Sequence, residues 1–358
     1  MRVLHVTESL GGVMSSVLAM AEATPGIDHH LAVWPLRSHF STGDDWRSEI
    51  ASLTRLPRNP VSASVALRRR VRELFPDVVH THSSYAGLLV RGTGLSGPRV
   101  AYSPHCFGFE RRDAGGLMTA LVTATERRLV RHTDLVVAVS PHEVELATRL
   151  GHQSVAYVPN RPLVAAQPMA AHRTRPWHVV TVGRVTAQKD WRYFLHVKRY
   201  AEEVLGIEAV WEWLGAGDPD GEDALVEAGV RVSGWLPRAD LLRRLGDAQV
   251  YLHTAAWEGA PISVLEAAAV GLPLVVRAIG PTTSTRAPGT RGSVAEIAER
   301  IAALHAEGAW AFARNESLAW AREHTGAVQG DLLQAAYVGL AEGPVPDLVP
   351  QEWPEVAS

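Results

Sequence analysis

Residues 257–276 run WEGAPISVLEAAAVGLPLVV. The stretch opens on a polar turn, EGAP, runs into the Ala-rich segment Ile262–Val270, and stops at Gly271 and Pro273, residues that end a helix. The β-branched run Val250–Thr254 precedes it and Leu274–Arg277 follows it, so the order is strand, turn, helix, strand. That is the unit of a parallel sheet covered by helices. Two carboxylates are notable. Glu258 lies in the turn after the first strand, and Glu266 sits in an otherwise apolar helix, where it must be paired or hold a ligand. The backbone N–H groups at 261–264, less the proline, point out of a helix N-terminus and suit an anion such as phosphate.

Outward from there the same alternation continues. Towards the N-terminus of this half come His178–Val182, Trp191–Leu205, Ala209–Leu214 and Leu241–Gly246, and on the other side Val294–Ala303. The first half repeats the pattern with Val3–Thr7, Ser15–Ala23, His30–Pro35, Ala63–Phe75, Val78–His82, Val100–Pro104, Gly116–His132, Leu135–Ser140 and Val155–Pro159. Between the halves, 161–176 has three prolines, small residues and no apolar period, and reads as a linker. The expected organisation is two Rossmann-like, doubly wound α/β domains at 1–160 and 177–326, a terminal helix at 327–340 that could pack back on the first domain, and a loose tail at 341–358. Ligands of such folds bind outside the carboxyl ends of the strands, so two facing domains would make a cleft.

A chain of 358 residues exceeds one comfortable core, and its composition is that of a globular protein. The net charge of −3 gives no sign of a nucleic-acid partner. Its halves differ: residues 1–170 hold 18 Arg against 14 acids, a net +4, and the remainder 17 Arg or Lys against 24 acids, a net −7. Cys106 is the only cysteine, which excludes an intrachain disulfide and a multi-cysteine zinc site. The first strand begins too early for a signal peptide, and no run approaches the roughly 18 to 20 apolar residues of a membrane span. The expected location is cytoplasmic. The helix ASVALRRRVREL (63–74) and Arg111, Arg112, Arg127, Arg128 and Arg131 leave two readings, peripheral contact at the inner face of a membrane or a solvated basic face.

Glu258 and Glu266, with seven residues between them in the frame EGAP followed by EAAAVGLP, resemble the retaining glycosyltransferases of family 4, which have the GT-B architecture. TVGRVTAQKDW (181–191), WLGAGD (213–218) and VSGWLPRADLLRRLGDAQVYLHT (232–254) fall in that family's order, and the likeness spans about residues 1–340. The resemblance implies a nucleotide-diphosphate sugar as donor, no cofactor and no metal. It implies that Glu258 holds sugar hydroxyls and Glu266 the ribose. A helix cap at Glu258 and a buried ion pair from Glu266 to an Arg are the alternatives. Arg184 and Lys189, spaced across the turn after Gly183, would neutralise the departing diphosphate. Gly259, Ala260, Pro261, Ile262 and Ser263 would form the donor turn. Gly234 and Trp235 would flank the base or simply form a packed turn.

In the first half, PDVVHTHSSYAG (76–87) and AYSPHCFG (101–108) each end a strand. His105 matches the family's histidine near the donor sugar; a histidine merely satisfied at a strand end is the other reading. Gly11 and Gly12 resemble the family's glycine loop. His80 and His82 share a strand face, and a metal site would need a third ligand such as His105, but the retaining chemistry the resemblance implies uses no metal and most other histidines are scattered, so no metal site is expected. Cys106, next to His105, is expected on the opposite, core-facing side of its strand. Three positions depart from the family: Asn160 precedes Arg161 rather than Gly, Lys189 precedes Asp190 rather than Gly, and the chain after Val276 is short and lacks the customary Gly-Gly and acidic residue.

The expected reaction is retaining transfer of a hexose-type sugar to an unknown acceptor hydroxyl, in glycan, glycolipid or glycosylated-metabolite synthesis. A GT-B epimerase or pseudo-glycosyltransferase, and a non-catalytic nucleotide-sugar-binding protein, are the rivals. A nicotinamide dehydrogenase is disfavoured because ESLGGVMSS after strand one is not G-x-G-x-x-G.

Overall fold

The computed structural model describes residues 1–8, 11–35, 48–172 and 177–342. The chain forms two compact units. The first holds β1 (Arg2–Thr7), α1 (Gly12–Ala23), β2 (Asp28–Val33), β3 (Ser52–Arg55), α2 (Pro60–Leu74), β4 (Val78–His82), α3 (Ser84–Thr93), β5 (Arg99–Ser103), α4 (Gly116–Leu129), β6 (Leu135–Ala138), α5 (Pro141–Leu150) and β7 (Val155–Tyr157). Its seven strands are all parallel, in the order β3-β2-β1-β4-β5-β6-β7. Central strand β4 is buried along its whole length, as expected for a sheet covered on both faces.

The second unit holds β8 (Trp177–Val182), α6 (Trp191–Glu203), β9 (Ala209–Leu214), α7 (Pro219–Glu227), β10 (Arg231–Val232), α8 (Arg238–Asp247), β11 (Val250–His253), α9 (Ile262–Ala269), β12 (Leu274–Arg277), α10 (Gly280–Ser284), β13 (Thr290–Arg291), α11 (Val294–Ala303) and α12 (Glu307–Glu323). Six parallel strands run in the order β10-β9-β8-β11-β12-β13. Its core gathers Trp177, Trp211 and Trp213 with Phe194 and the Ala face of α9. Residues 161–172 run along this unit, with Gln167 and Met169 N–H donating to Ala269 and Val270 carbonyls at 2.8 and 2.9 Å.

The last helix, α13 (Gly326–Glu342), belongs to the first unit. It crosses α1 so closely that a Cβ on Gly330 would sit 2.2 Å from the Ala23 carbonyl, and Gln329 donates to the Pro159 carbonyl at 2.9 Å. Most of the expected tail, from residue 343 on, and residues 173–176 lie outside the described residues. Several elements were not read from sequence: β3, α3, α5 and α12 among them. The helix boundaries follow local chemistry. Asn59 caps α2 ahead of Pro60, Ser140 caps α5 ahead of Pro141, and Ser293 with Glu296 forms a capping box at α11.

Candidate functional site

In the second unit the turns after β8 and β9 touch. Gly183 and Gly215 both have φ of 148°, and a Cβ on Gly215 would lie 2.1 Å from the Gly183 carbonyl oxygen, so neither position accepts a side chain. Trp213 Nε1–H donates to that same carbonyl at 2.8 Å. The chain then carries Lys189 back over Gly183, where an added Cβ would meet Lys189 Cε at 2.8 Å. Lys189 Nζ pairs with Glu258 Oε1 at 2.5 Å. Neighbouring Gln188 donates to the Trp257 carbonyl at 3.2 Å and to Glu258 Oε2 at 3.4 Å, and the Thr254 hydroxyl donates to the Lys189 carbonyl at 2.8 Å. The turn after β8 and the turn after β11 are thus stitched together by their own polar groups. Arg184 is exposed on the first of them.

Asp190, where the family pattern has Gly, adopts φ 54° and does two jobs that a glycine cannot. Its carboxylate accepts from Tyr193 N–H at 3.1 Å as the cap of α6, and pairs with Arg277 at 2.7 Å. Arg277 is the first residue of the other departing stretch, and it also donates to the Thr254 carbonyl at 3.1 Å and lies over the Tyr193 ring. The two departures are therefore partners in one contact.

Glu266 is buried in the first turns of α9, facing Arg238 at the start of α8, with 2.7 Å between charges. That approach is off hydrogen-bond alignment, so Oε1 retains an unfilled hydrogen-bonding position. Burial raises the Glu266 pKa, and Arg238 pulls it back. Ser263 Oγ accepts from the Tyr251 hydroxyl at 2.9 Å, Gly259 is buried, and Ala260, Pro261 and Ile262 are half-buried. Pro261 is the N-cap of α9. Gly234 has φ 69°, and its turn is held by Ser233, which accepts from Gly215 N–H and donates to the Gly234 carbonyl; Trp235 beside it is 70% exposed.

In the first unit His105 sits in the turn after β5, with φ 49°, followed by Cys106 with φ 93°. Two consecutive non-glycine residues in this region cost energy, and the surrounding contacts hold them there. Glu143 in α5 accepts from Cys106 N–H at 2.6 Å and Val139 N–H at 2.9 Å. Glu110 accepts from Phe107 N–H at 3.3 Å and pairs with His142 at 2.6 Å. Burial raises Glu143 to about 7, against the two backbone donors. Cys106 is thus not a strand residue buried on the sheet's far face: β5 has already ended, and the side chain is half-buried. Gly11 has φ 98° at the N-cap of α1, whereas Gly12 is an ordinary first helical residue with open space around it.

The sequence reading missed a chain of imidazoles beneath His105. His82 Nδ1 lies 3.0 Å from His105 Nε2, His82 Nε2 lies 2.9 Å from His5 Nδ1, and His5 Nε2 lies 2.9 Å from His29 Nδ1. No local sequence signal marks this row of imidazoles, because it depends on β1 and β4 lying in register, with His5 opposite His80. Burial lowers all five of these histidines, His29 and His105 to about 4. Among the described residues, His5, His80 and His82 are the group whose nitrogens lie near enough to hold a metal, within 4.8 Å of one another. Each of those nitrogens already takes part in a hydrogen bond.

The basic face of α2 is largely engaged within its own unit. Arg68 donates to the Thr93 carbonyl, Arg70 to Ser52 Oγ at 2.6 Å, and Arg69 to Glu73 at 2.7 Å. Another surface is more open: Leu117, Met118 and Leu121 are exposed along α4, with Arg127 and Arg128 exposed at its end. Among the described residues no helix is long and apolar enough to cross a membrane.

Two wholly parallel α/β units, with a glycine turn, a basic pair and an E-x7-E segment in the second, define a glycosyltransferase of the GT-B class. The chain belongs to the group 1 glycosyltransferases: residues 11–161 match the glycosyl transferase 4-like domain, and residues 170–319 match glycosyl transferases group 1. It is an enzyme of the glycosyltransferase class, and its family uses nucleotide-sugar donors. Among curated relatives, an uncharacterized 41.2 kDa protein in the cps region of Klebsiella pneumoniae is 22% identical, over 82% of this chain and 85% of that one. The Escherichia coli UDP-Gal:alpha-D-GlcNAc-diphosphoundecaprenol alpha-1,3-galactosyltransferase is 26% identical, over 59% of this chain and 60% of its own length. Of solved structures, Anabaena Alr3699/HepE in complex with UDP and glucose superposes with TM-score 0.74 at 13% identity, covering 95% of this chain and 99% of that one. The lipopolysaccharide outer core galactosyltransferase WaaB gives TM-score 0.67 at 16% identity, with 95% and 99% covered. At these identities the likeness establishes the fold.

Proposed function

We propose that this chain is a retaining hexosyltransferase that moves a hexose-type sugar from a nucleotide-diphosphate donor to an acceptor hydroxyl. The observation that carries the reading is the Lys189–Glu258 pair on the two stitched turns, close in sequence to the N-terminus of α9. Lys189 and Arg184 meet the donor diphosphate, and Glu258 accepts from hydroxyls of the sugar. Glu266 takes the ribose hydroxyls in exchange for part of its contact with Arg238, and the turn at Gly234 and Trp235 flanks the base. His105 and the Gly11–Gly12 loop serve the same transfer from the first unit.

In the reaction the acceptor oxygen forms a bond to the anomeric carbon, the bond from that carbon to the diphosphate breaks, and the acceptor's proton passes to the leaving diphosphate. The cations and the α9 N-terminus stabilise the charge that develops there. No protein base is required. For the acceptor, we infer a lipid-linked saccharide. The E. coli relative carries a diphosphoundecaprenol substrate in its name, and the exposed Leu117, Met118, Leu121, Arg127 and Arg128 of α4 supply an apolar and basic surface of the kind that rests on an anionic bilayer.

A thermal-shift screen against UDP, GDP, dTDP and ADP sugars tests the donor. Saturation at 100 times Kd stabilises by about 2.7 kcal/mol, so one nucleotide should raise the melting temperature well above the others. No shift with any of them rejects the reading. Incubating the stabilising donor without acceptor separates transfer from epimerisation, which would alter the sugar with no glycoside formed.

A further inference from the structure

The tautomers of the histidine chain can be assigned from its Thr24 end. The Thr24 hydroxyl donates to the Met20 carbonyl at 2.7 Å, so its oxygen faces His29 Nε2, 2.9 Å away, as an acceptor. The Thr24 carbonyl, 3.3 Å from the same nitrogen, can only accept. His29 Nε2 therefore carries the hydrogen. In a neutral imidazole the other nitrogen is then a lone pair, so His29 Nδ1 accepts from His5 Nε2–H. The same step repeats twice: His5 Nδ1 accepts from His82 Nε2–H, and His82 Nδ1 accepts from His105 Nε2–H. Nδ1 of His105 is left as the lone pair, and among the described residues no hydrogen bond reaches it.

The neighbouring His80 lies outside the chain and is fixed separately. Ser103 Oγ–H donates to the Val137 carbonyl at 2.7 Å, so it accepts from His80 Nε2–H at 2.9 Å, and His80 Nδ1 accepts from the Tyr337 hydroxyl at 2.6 Å. His80 and His82 rings pack with centroids 4.1 Å apart. His5, His29, His80, His82 and Thr24 are all buried, so the polarity is fixed by protein groups.

We propose that Thr24, His29, His5 and His82 form a one-way hydrogen-bond relay that holds His105 as the Nε2–H tautomer, so that its Nδ1 meets the substrate as an acceptor for a sugar hydroxyl. These are positioning residues, acting through His105, and the inference rests on the place given to His105 above. The relay orients and does not export protons, because it ends on the buried carbonyls of Met20 and Thr24. Its direction depends on His29. In His29→Phe, His5 Nε2–H would lose its acceptor, and an orphaned donor is costly. The three remaining rings then flip together to the Nδ1–H form, and His105 presents a donor where it had presented a lone pair.

The test is long-range ¹H–¹⁵N spectroscopy of the full chain labelled at histidine, whose coupling pattern distinguishes the two tautomers. Expected in the wild type at pH 7 is a neutral Nε2–H form at His5, His29, His82 and His105; an Nδ1–H or protonated ring at any of the four overturns the relay. This readout does not depend on whether a variant folds. In folded His29→Phe, His105 should change to Nδ1–H and the donor KM should rise about tenfold, the worth of one ordinary hydrogen bond. A switched tautomer with unchanged KM would overturn the relay's bearing on substrate. Full activity of His105→Ala would instead remove His105 from the reaction while leaving the tautomer order in place, so the two failures are distinguishable.

Discussion

Acidification should unfold the first unit well before ordinary carboxylate titration would. The perturbation is a change from pH 7.5 to 4.5. His29 has its pKa lowered from 6.5 to about 4, mainly by burial. Its stabilising contribution is fully present above pH 6.5, where folded and unfolded chains are both neutral, and is lost as pH falls towards 4, because only the unfolded chain takes up the proton. A displacement of this size corresponds to about 3 kcal/mol. His5, His80 and His82 are pushed further in the same direction, and His105 also falls to about 4. Glu143 opposes them. With a folded pKa of about 7 against 4.5, it contributes about 3 kcal/mol in favour of folding as pH drops from 7 to 4.5. His152 also falls to about 4 by burial, whereas Glu110 raises His142; the lowered histidines outnumber the groups that oppose them, so the net effect of acid is destabilising. Urea midpoints followed at intervals of half a pH unit should fall steeply between 6.5 and 4.5. A flat or rising midpoint across that window would refute the assignment of these rings as buried and neutral.

Other outcomes follow from the second unit. Lys189→Met should lower kcat by about 10² to 10³, the worth of one preorganised group on a developing charge, in steady-state transfer assays. Gly183→Ala should damage turnover through Lys189, which the new Cβ would displace from 2.8 Å, and an unaltered kcat would contradict the placement. Asp190→Ala should cost about 1–2 kcal/mol in thermal melts by removing the α6 cap and the Arg277 partner, whereas Asp190→Gly should cost less because glycine accepts φ 54° without strain. Glu266→Gln should weaken nucleotide binding about tenfold or more by calorimetry, since a charge-assisted bond is lost.

The sequence revealed the fold where local chemistry and period agreed. Leu274–Arg277 and Val294–Ala303 appear with the expected boundaries, and Ile262–Val270 ends one residue sooner, at Ala269. It hid short elements that depend on neighbours: β3 is four residues, mostly half-buried, at a sheet edge, and α3 follows Ser83, whose φ of 72° is no helix signal. At the site, the glycine turn and the two glutamates were legible because their residue types are chemically unusual for their surroundings. The Lys189–Glu258 and Glu266–Arg238 pairs were not, since each joins positions far apart in sequence. Nor was the histidine chain, which exists only because β1, β2 and β4 lie side by side in register. The departure at Asp190 makes physical sense only with Arg277 in view, 87 residues on.

Sugar transfer with the anomeric configuration kept is reported directly by the product. The enzyme should be supplied with the α-configured nucleotide-sugar that stabilises it and with a lipid-diphosphate-linked saccharide, and the proton coupling at the new anomeric centre measured by NMR. An α-glycoside and free nucleoside diphosphate should form in equal amounts; a β-linked product would mean that the enzyme inverts.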